Sequence, residues 1–171
     1  ITSMSEIVTL IIPSKKNENS KIQKLEFNFL KNKLNEFGNN LKTAFRINMY
    51  SSKNNEIEDT IYSSDVFIIN SYLKEKIELD LSNEEVEFNR KGIFIGIEVI
   101  GDIDSNGNFS KEKSSIRPAL SSNSIEDYKA ITFLKYTFDK KLKLKPINEI
   151  FLENINIKID RNLSFGMTIS K

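Results

Sequence analysis

The sequence contains no cysteine, no histidine and no tryptophan, and only six glycines and three prolines among its 171 residues. Without histidine there is no Ser-His-Asp or Cys-His catalytic arrangement, no imidazole metal ligand and no switch that titrates near neutral pH. Without cysteine there is no disulfide framework, thiolate nucleophile, zinc ribbon or iron–sulfur site. These absences favour a function based on packing and surface contact over one based on proton or electron transfer.

Charge and hydropathy argue against two further classes of protein. The 25 basic residues nearly balance the 24 acidic ones, and a net charge of +1 argues against a nucleic-acid partner. No apolar run approaches the roughly 18 residues of a membrane-spanning helix, so no transmembrane segment is predicted. The length predicts a single domain over residues 1–171, and the start at Ile1 indicates a processed product, an excised domain or part of a longer exported chain.

Most of the chain alternates apolar and polar residues with a period of two, which is the period of β-strands. The segments that show it most clearly are residues 6–13, 43–50, 66–69, 76–81, 93–100, 130–138, 154–159 and 165–169. Polar or Ser-rich stretches at 51–59, 102–108 and 111–127 are predicted as loops. Short strands separated by such turns predict an all-β protein, an antiparallel β-sandwich of jelly-roll type.

Residues 21–37 fit two kinds of element. Leu25, Phe27 and Phe29 have strand spacing, whereas Ile22, Leu25, Leu30, Leu34 and Phe37 lie near helical spacing. The β pattern on both sides favours a strand as far as about Leu30, followed by a connection.

A series of short motifs lies between residues 21 and 101. Phe-Arg-x-x-x-Tyr is followed by Asp-Leu-Ser and then by Gly-x-Phe-x-x-x-Glu, in residues Phe45, Arg46, Tyr50, Asp80, Leu81, Ser82, Gly92, Phe94 and Glu98. The series resembles the β-rich C-terminal region of uncharacterised Bacteroidota proteins that carry a carboxypeptidase-regulatory-like domain at the N-terminus. Val99 stands where that family usually has tryptophan. The resemblance implies a β-sandwich in the cell envelope, in the periplasm or at the outer membrane or cell surface, and names no activity.

Residues 102–110 fit the opening of a calcium-binding loop. Oxygen ligands would come from Asp102, Asp104, Asn106 and Asn108, and Gly107 would allow the sharp turn. The twelfth position, which should be a bidentate glutamate, is Lys113, and Glu112 comes one residue early. The alternative is a β-hairpin tip in which Asn106 and Gly107 form a type I′ turn, and this alternative is favoured.

Arg46 and Glu98 are charged residues within strand patterns, where an ionised group needs a partner. A salt bridge that locks adjacent strands is favoured over a ligand-binding pair in a groove. Gly96, on the same strand as Glu98, indicates a bulge or a close approach of the backbone.

Tyr62 and Tyr72 lie in or near polar segments and are candidates for stacking on a sugar ring. Glycoside hydrolysis needs only two carboxylates, so the missing histidine does not exclude it. No pair of acids other than Glu98 with some partner has an apolar setting that would raise a pKa, and we therefore expect no enzymatic activity.

Two surface features complete the set. Asp59-Thr60-Ile61 fits the short pattern used for O-glycosylation in Bacteroidota envelope proteins, with Thr60 as the acceptor. Residues 140–146 alternate lysine with leucine, which is typical of a strand whose lysines protect an exposed sheet edge.

The sequence, together with the family resemblance, therefore predicts a non-catalytic accessory or interaction domain of the cell envelope that has protein partners, such as the other subunits of an outer-membrane assembly. Its contacts would come from loops 51–60, 101–113 and 114–127. The alternative is a carbohydrate-binding, lectin-like module with calcium in the loop 102–112.

Overall fold

A computed structural model describes residues 5–31, 42–70, 76–104, 106–110, 116–121, 128–137, 144–152 and 161–171. These residues form strands almost throughout, with one 3-10 turn at Lys15–Asn17 and one short α-helix. The elements are β1 (Ser5–Pro13), β2 (Ser20–Lys31), β3 (Lys42–Lys53), β4 (Glu56–Ser63), β5 (Phe67–Asn70), β6 (Lys76–Asp80), β7 (Glu87–Phe88), β8 (Ile93–Ile103), β9 (Phe109–Ser110), β10 (Ile116–Pro118), β11 (Leu120–Ser121), β12 (Tyr128–Tyr136), β13 (Lys145–Pro146), α1 (Ile147–Leu152), β14 (Asn162–Leu163) and β15 (Phe165–Ser170).

Two antiparallel sheets make up the fold. The larger sheet has the strand order β13-β12-β1-β8-β3-β4, with β5 also paired to β3 and β9 to β8. The smaller sheet has the order β10-β2-β15, with β6 and β7 also paired to β2, and β11 pairs with β14. Successive stretches of chain alternate between the two sheets, so the predicted all-β antiparallel sandwich is confirmed.

The main core lies between the two sheets and is rich in phenylalanine. Phe29 of β2 and Phe45 of β3 meet across the sandwich with ring centroids 4.8 Å apart. Phe67 extends this aromatic group, and Tyr128 stacks on Phe165 at 5.8 Å. The predicted strand 93–100 is confirmed as part of β8, which lies inside the larger sheet between β1 and β3.

The ambiguity over residues 21–37 has a structural explanation for the residues described. Residues 20–31 form strand β2. The register of its pairing with β15 shifts at Gln23, because Lys24 pairs with Thr168 and Ile22 with the next residue, Ile169. The irregularity lets Ile22 and Leu25, three residues apart, both reach the core. The helix-like spacing of Ile22 and Leu25 is therefore explained by a β-bulge. Residues 32–41 lie outside the described part.

The prediction of a loop over residues 51–59 is wrong. Strand β3 continues to Lys53 and β4 begins at Glu56, so only two residues form the connection. Asn54 and Asn55 have φ angles of 54° and 63°, the left-handed pair that a type I′ hairpin turn requires. Asparagine tolerates this conformation better than most residues, which is why a polar stretch forms a tight turn here.

Other loop and strand predictions are partly corrected. The predicted loop 111–127 contains the short strands β10 and β11. Of the predicted edge strand 140–146, residues 144–146 are described and contain β13, which pairs with β12 at the edge of the larger sheet. Strand β13 leads into helix α1, which was not predicted. The predicted strand 154–159 lies outside the described residues. Within the described ranges, no helix has the length and apolarity needed to cross a membrane.

Candidate functional site

The outward face of the larger sheet carries a second buried cluster, separate from the core of the sandwich. Ile7 and Ile11 of β1 point into the core, so the alternate residues Val8 and Leu10 point to the opposite face. There they pack with Phe94 and Tyr50, all of them almost fully buried. An apolar environment on this face raises the cost of any charge placed beside it.

Glu6 is such a charge, with an exposed fraction of 0%. Its carboxylate accepts hydrogen bonds from the Lys135 ammonium at 2.7 Å and from the Tyr50 hydroxyl at 2.8 Å to Oε2. The Asn48 amide donates to Oε1 at 3.1 Å. We refer to Glu6, Asn48, Tyr50 and Lys135 as the Glu6 cluster. Three strands, β1, β3 and β12, supply its members, so they meet only when the sheet is assembled.

Tyr50 joins the carboxylate to the cation. Lys135 Nζ lies 2.8 Å from the Tyr50 hydroxyl oxygen and 4.3 Å from the centroid of its ring. Burial, and secondarily the negative charge of Glu6, raises the pKa of Tyr50 well above its usual range. The Tyr50 hydroxyl therefore stays protonated. It donates a hydrogen bond to Glu6, and its oxygen accepts a hydrogen bond from Lys135.

Gly96 makes room for the carboxylate. A Cβ atom at this position would lie 2.1 Å from Oε1 of Glu6, far inside van der Waals contact. The close approach predicted for Gly96 is thereby confirmed, although the neighbour is the Glu6 side chain, which the sequence analysis did not identify.

Arg46 and Glu98 are direct register partners on β3 and β8, with Arg46 Nη1 3.5 Å from Glu98 Oε2. Glu98 is in turn the register partner of Glu6, and Glu6 that of Lys135. The four charges form a row across four adjacent strands, in the order positive, negative, negative, positive. This geometry supports the strand-locking interpretation of Arg46 and Glu98, and ligand binding by the pair stays a prediction.

Glu6 and Lys135, which form an ion pair of 2.7 Å, were not predicted from the sequence as site residues. The only signal was an acidic residue at the start of the apolar run 6–13, which looked like the polar flank of a strand. The members of the Glu6 cluster satisfy one another's hydrogen-bonding groups. The carboxylate accepts hydrogen bonds from Asn48, Tyr50 and Lys135, and the Tyr50 hydroxyl thus already has an acceptor. Such an arrangement is suited to fixing strand order and register.

The loop at 104–108 is a hairpin turn organised by one carboxylate. Asp104 Oδ1 accepts hydrogen bonds from the backbone amides of Asn106 at 2.8 Å and Asn108 at 2.9 Å. Gly107, with φ of 83°, donates its amide to the Asp104 carbonyl, and the Asp104 amide donates to the Asn108 carbonyl. The predicted hairpin is confirmed by the pairing of β8 with β9, but Asn106 and Gly107 are not the two central residues of its turn, because the hydrogen bond that closes the turn joins Asp104 to Gly107.

The predicted calcium ligands have other partners. Asp102 is buried on β8, and its carboxylate accepts a hydrogen bond from the Thr43 hydroxyl. Asp104 is engaged by the turn, and Glu112 lies outside the described residues. The described residues contain no group of three or more acidic side chains placed to hold a metal ion. Calcium binding stays a prediction without structural support.

Hydrogen bonds from the turn, first from the amide of Asn108, hold the pKa of Asp104 below its usual range. A lowered pKa means that these bonds are fully present above the unfolded value and are lost as the pH falls through the folded one. We expect the amide proton shifts of Asn106 and Asn108 to follow a titration with a midpoint below about 3.9. Two-dimensional NMR measures this, and D104N, which keeps the shape but cannot titrate, is the control; a midpoint at or above the ordinary aspartate value contradicts it.

The two candidate tyrosines and the candidate glycosylation site have different outcomes. Tyr62 is half-buried and packs against the core, and burial, followed by Glu84 and Asp65, raises its pKa. Its ring is thus part of the packing, which gives little support to a role in sugar stacking. Tyr72 lies outside the described residues. Thr60 is exposed, but on strand β4 and not in the predicted loop, and its modification stays a prediction.

One edge of the larger sheet exposes apolar side chains. Ile61 on β4, Val66 in the following connection and Ile68 on β5 have exposed fractions of 47%, 44% and 51%. Because β4 and β5 both pair with β3, these residues follow one another along the same side of β3. We call them the apolar edge. They are three of only five large apolar residues that are exposed in the described part of the chain.

A groove of about 340 Å³ adjoins the apolar edge at Ile61. Its walls carry the carboxylates of Glu58, Glu84, Glu85 and Glu87, with Lys91 as the lysine in the lining. We call it the acidic groove. Ser52 also lines it; this residue is 3% exposed, and its hydroxyl has no hydrogen-bond partner among the described residues.

Comparison with known proteins gave no match. Neither the known protein families, nor the curated proteins, nor the solved structures include one that resembles this chain significantly.

Proposed function

We propose that this chain is a non-catalytic interaction domain of the cell envelope that binds a protein partner through the apolar edge. The observation that carries the proposal is the concentration of exposed apolar side chains at one sheet edge. Large apolar residues grouped on a surface are typical of protein contact sites. The resemblance to Bacteroidota envelope proteins supports the location and an outer-membrane assembly as the setting.

The apolar edge is suited to this role because it belongs to a rigid element. Strand β3, to which both β4 and β5 are paired, is itself paired to β8 from Lys42 to Ser51. A partner therefore meets a surface that is already ordered, which reduces the entropy lost on binding. The apolar edge begins just after the predicted contact loop 51–60 and does not include it.

Ile68→Lys is expected to abolish retention of the envelope partner without lowering the melting temperature. Ile68 is half-exposed, and its replacement adds a charge to the contact surface at little cost to the core. The measurement is chemical cross-linking in cells of the native host, followed by purification of the tagged chain and mass spectrometry. Phe109→Lys is the matched control, since Phe109 is exposed to 54% on the hairpin at β9.

Loss of one defined partner in Ile68→Lys but not in Phe109→Lys supports the proposal. Equal recovery in both variants, or a chain that cross-links to nothing when unmodified, contradicts it. Fractionation of the same cells tests the location, because recovery of the chain with the cytoplasm would exclude an envelope function.

A further inference from the structure

We infer that the partner enters as an extended segment that adds to strand β4 and carries basic side chains into the acidic groove. This inference rests on the proposed function, and it specifies the conformation and the chemistry of the bound segment. The occupant is a peptide that alternates lysine or arginine with apolar residues.

The first argument is the open side of β4. This strand pairs with β3 on one side and ends the order of the larger sheet, so no described residue pairs with its other side. Alternate residues of an antiparallel strand direct their N–H and C=O groups to each side. Over the eight residues of β4, the open side therefore offers a ladder long enough for a short bound strand.

The second argument is accessibility. Six of the eight residues of β4 are exposed, and the other two, Ile57 and Tyr62, are half-buried. Strand β4 is thus accessible to an approaching segment along most of its length. A strand added there would place alternate side chains over Ile61 and toward the groove.

The third argument is charge. Glu56, Glu58 and Asp59 are exposed on β4 itself, and Glu84 and Glu87 line the groove beside it. Lys53 offsets only Glu58, at 3.0 Å. An excess of carboxylates on a chain whose overall charge is +1 selects for a basic partner and speeds its approach.

The fourth argument is the apolar floor. Ile61, which is 47% exposed, lines the groove together with the acids, and the two other apolar residues of the lining, Val86 and Ile93, are almost fully buried. A small soluble cation would gain nothing from the Ile61 side chain, whereas the stem of a lysine or an adjacent valine would cover it. The unsatisfied Ser52 hydroxyl in the groove wall is a further polar group that an occupant would adjoin. The mixture of acid and apolar surface therefore fits a peptide better than an ion.

A competing explanation is that the charges and bulges of β4 only protect an exposed edge from aggregation. Its pairing with β3 is indeed shifted near Tyr50, and such irregularities are one way in which edges are protected. Protection alone does not require apolar residues beside the charges, and Ile61 remains half-exposed there. The two explanations differ in whether a basic strand binds.

The experiment measures fluorescence polarisation of a labelled eight-residue peptide that alternates lysine and valine, matching the length of β4. We expect saturable binding to the full chain, weakened roughly tenfold between low and high salt because the charges are at the surface. The same peptide with alternate backbone nitrogens methylated keeps its side chains but cannot complete a strand ladder, and we expect it to bind at least about thirtyfold more weakly.

Glu84→Gln/Glu87→Gln tests the charge argument while preserving side-chain shape, and we expect roughly tenfold weaker binding of the lysine–valine peptide. Arg90→Gln is a control for surface charge changes, because Arg90 lies outside the groove lining. A glutamate–valine peptide should not bind. Binding of the methylated peptide or of the glutamate–valine peptide as tight as that of the original overturns the inference, as does absence of lysine–valine binding.

These outcomes are separable from those of the proposed function. If the envelope partner is still lost in Ile68→Lys while no basic peptide binds, the interaction function stands and the strand-addition inference fails. If Ile68→Lys retains every partner, the proposed function fails whatever the peptide does.

Discussion

Lys135→Met is expected to lower the free energy of unfolding by about 3–5 kcal/mol, the usual cost of leaving one member of a buried ion pair without the other. Glu6 has no exposed surface, and Lys135 is its only cationic hydrogen-bond partner among the described residues. Methionine keeps the length of the side chain, so the loss comes from the charge and not from packing. Chemical denaturation followed by tyrosine fluorescence measures the change.

Two further variants identify the cause. Lys129→Met changes an exposed lysine on the same strand and is expected to stay within about 0.5 kcal/mol of the wild type. In Glu6→Leu/Lys135→Met both charges are gone, and we expect part of the stability to return, because uncharged packing is tolerated where a lone charge is not. A double variant less stable than Lys135→Met by the full cost of Glu6→Leu would show that the two residues are not coupled.

Gly96→Ala is the second large effect that we expect, a loss of about 2–4 kcal/mol for the addition of one methyl group. The new Cβ would lie 2.1 Å from Glu6 Oε1. Relief requires the carboxylate to move, which breaks its bonds with Lys135, Tyr50 and Asn48. The free energy of unfolding from denaturant titration is again the measurement.

Gly166→Ala is the matched control for Gly96→Ala. It also lies within a strand and faces a glutamate, but the added Cβ would be 3.1 Å from Glu26 Oε2. Glu26 pairs with lysines 24 and 76 at the surface, and Lys76, then Lys24, lowers its pKa to about 2. This carboxylate is partly exposed, with a side-chain exposure of 25%, and can shift toward water, so we expect a change of less than about 1 kcal/mol. Equal losses in both variants would contradict the role given to the Glu6 cluster.

The fold was predictable where burial leaves a local pattern. In the predicted strand 76–81, Ile77, Leu79 and Leu81 alternate with acids and lie against the core, and the apolar run at β8 lies centrally in the larger sheet. The alternating pattern is interrupted at Gln23, because a bulge there makes a strand resemble a helix over one turn. The pattern does not predict the Asn54-Asn55 turn, because a polar stretch alone does not show that two of its residues adopt the left-handed conformation.

The site was less predictable because it depends on register between distant strands. Arg46 and Glu98 were paired correctly from their place in neighbouring strand patterns, and the contact is confirmed. The Glu6–Lys135 pair joins residues 129 positions apart, and nothing local to either one shows that β1 lies beside β12. The apolar edge likewise depends on β4 and β5 sharing one side of β3.

The position of β1 has a consequence for the order of folding. Its two neighbours in the sheet, β8 and β12, are made long after it, and Thr9 bonds to Thr132 across a separation of 123 residues. Contacts so distant in sequence slow folding, because a large loop must close before they form. A ribosome-bound chain that ends before residue 128 therefore leaves one side of β1 without its strand. We expect the native pairing of β1 to be complete only after residues 128–136, which form β12, have been synthesised.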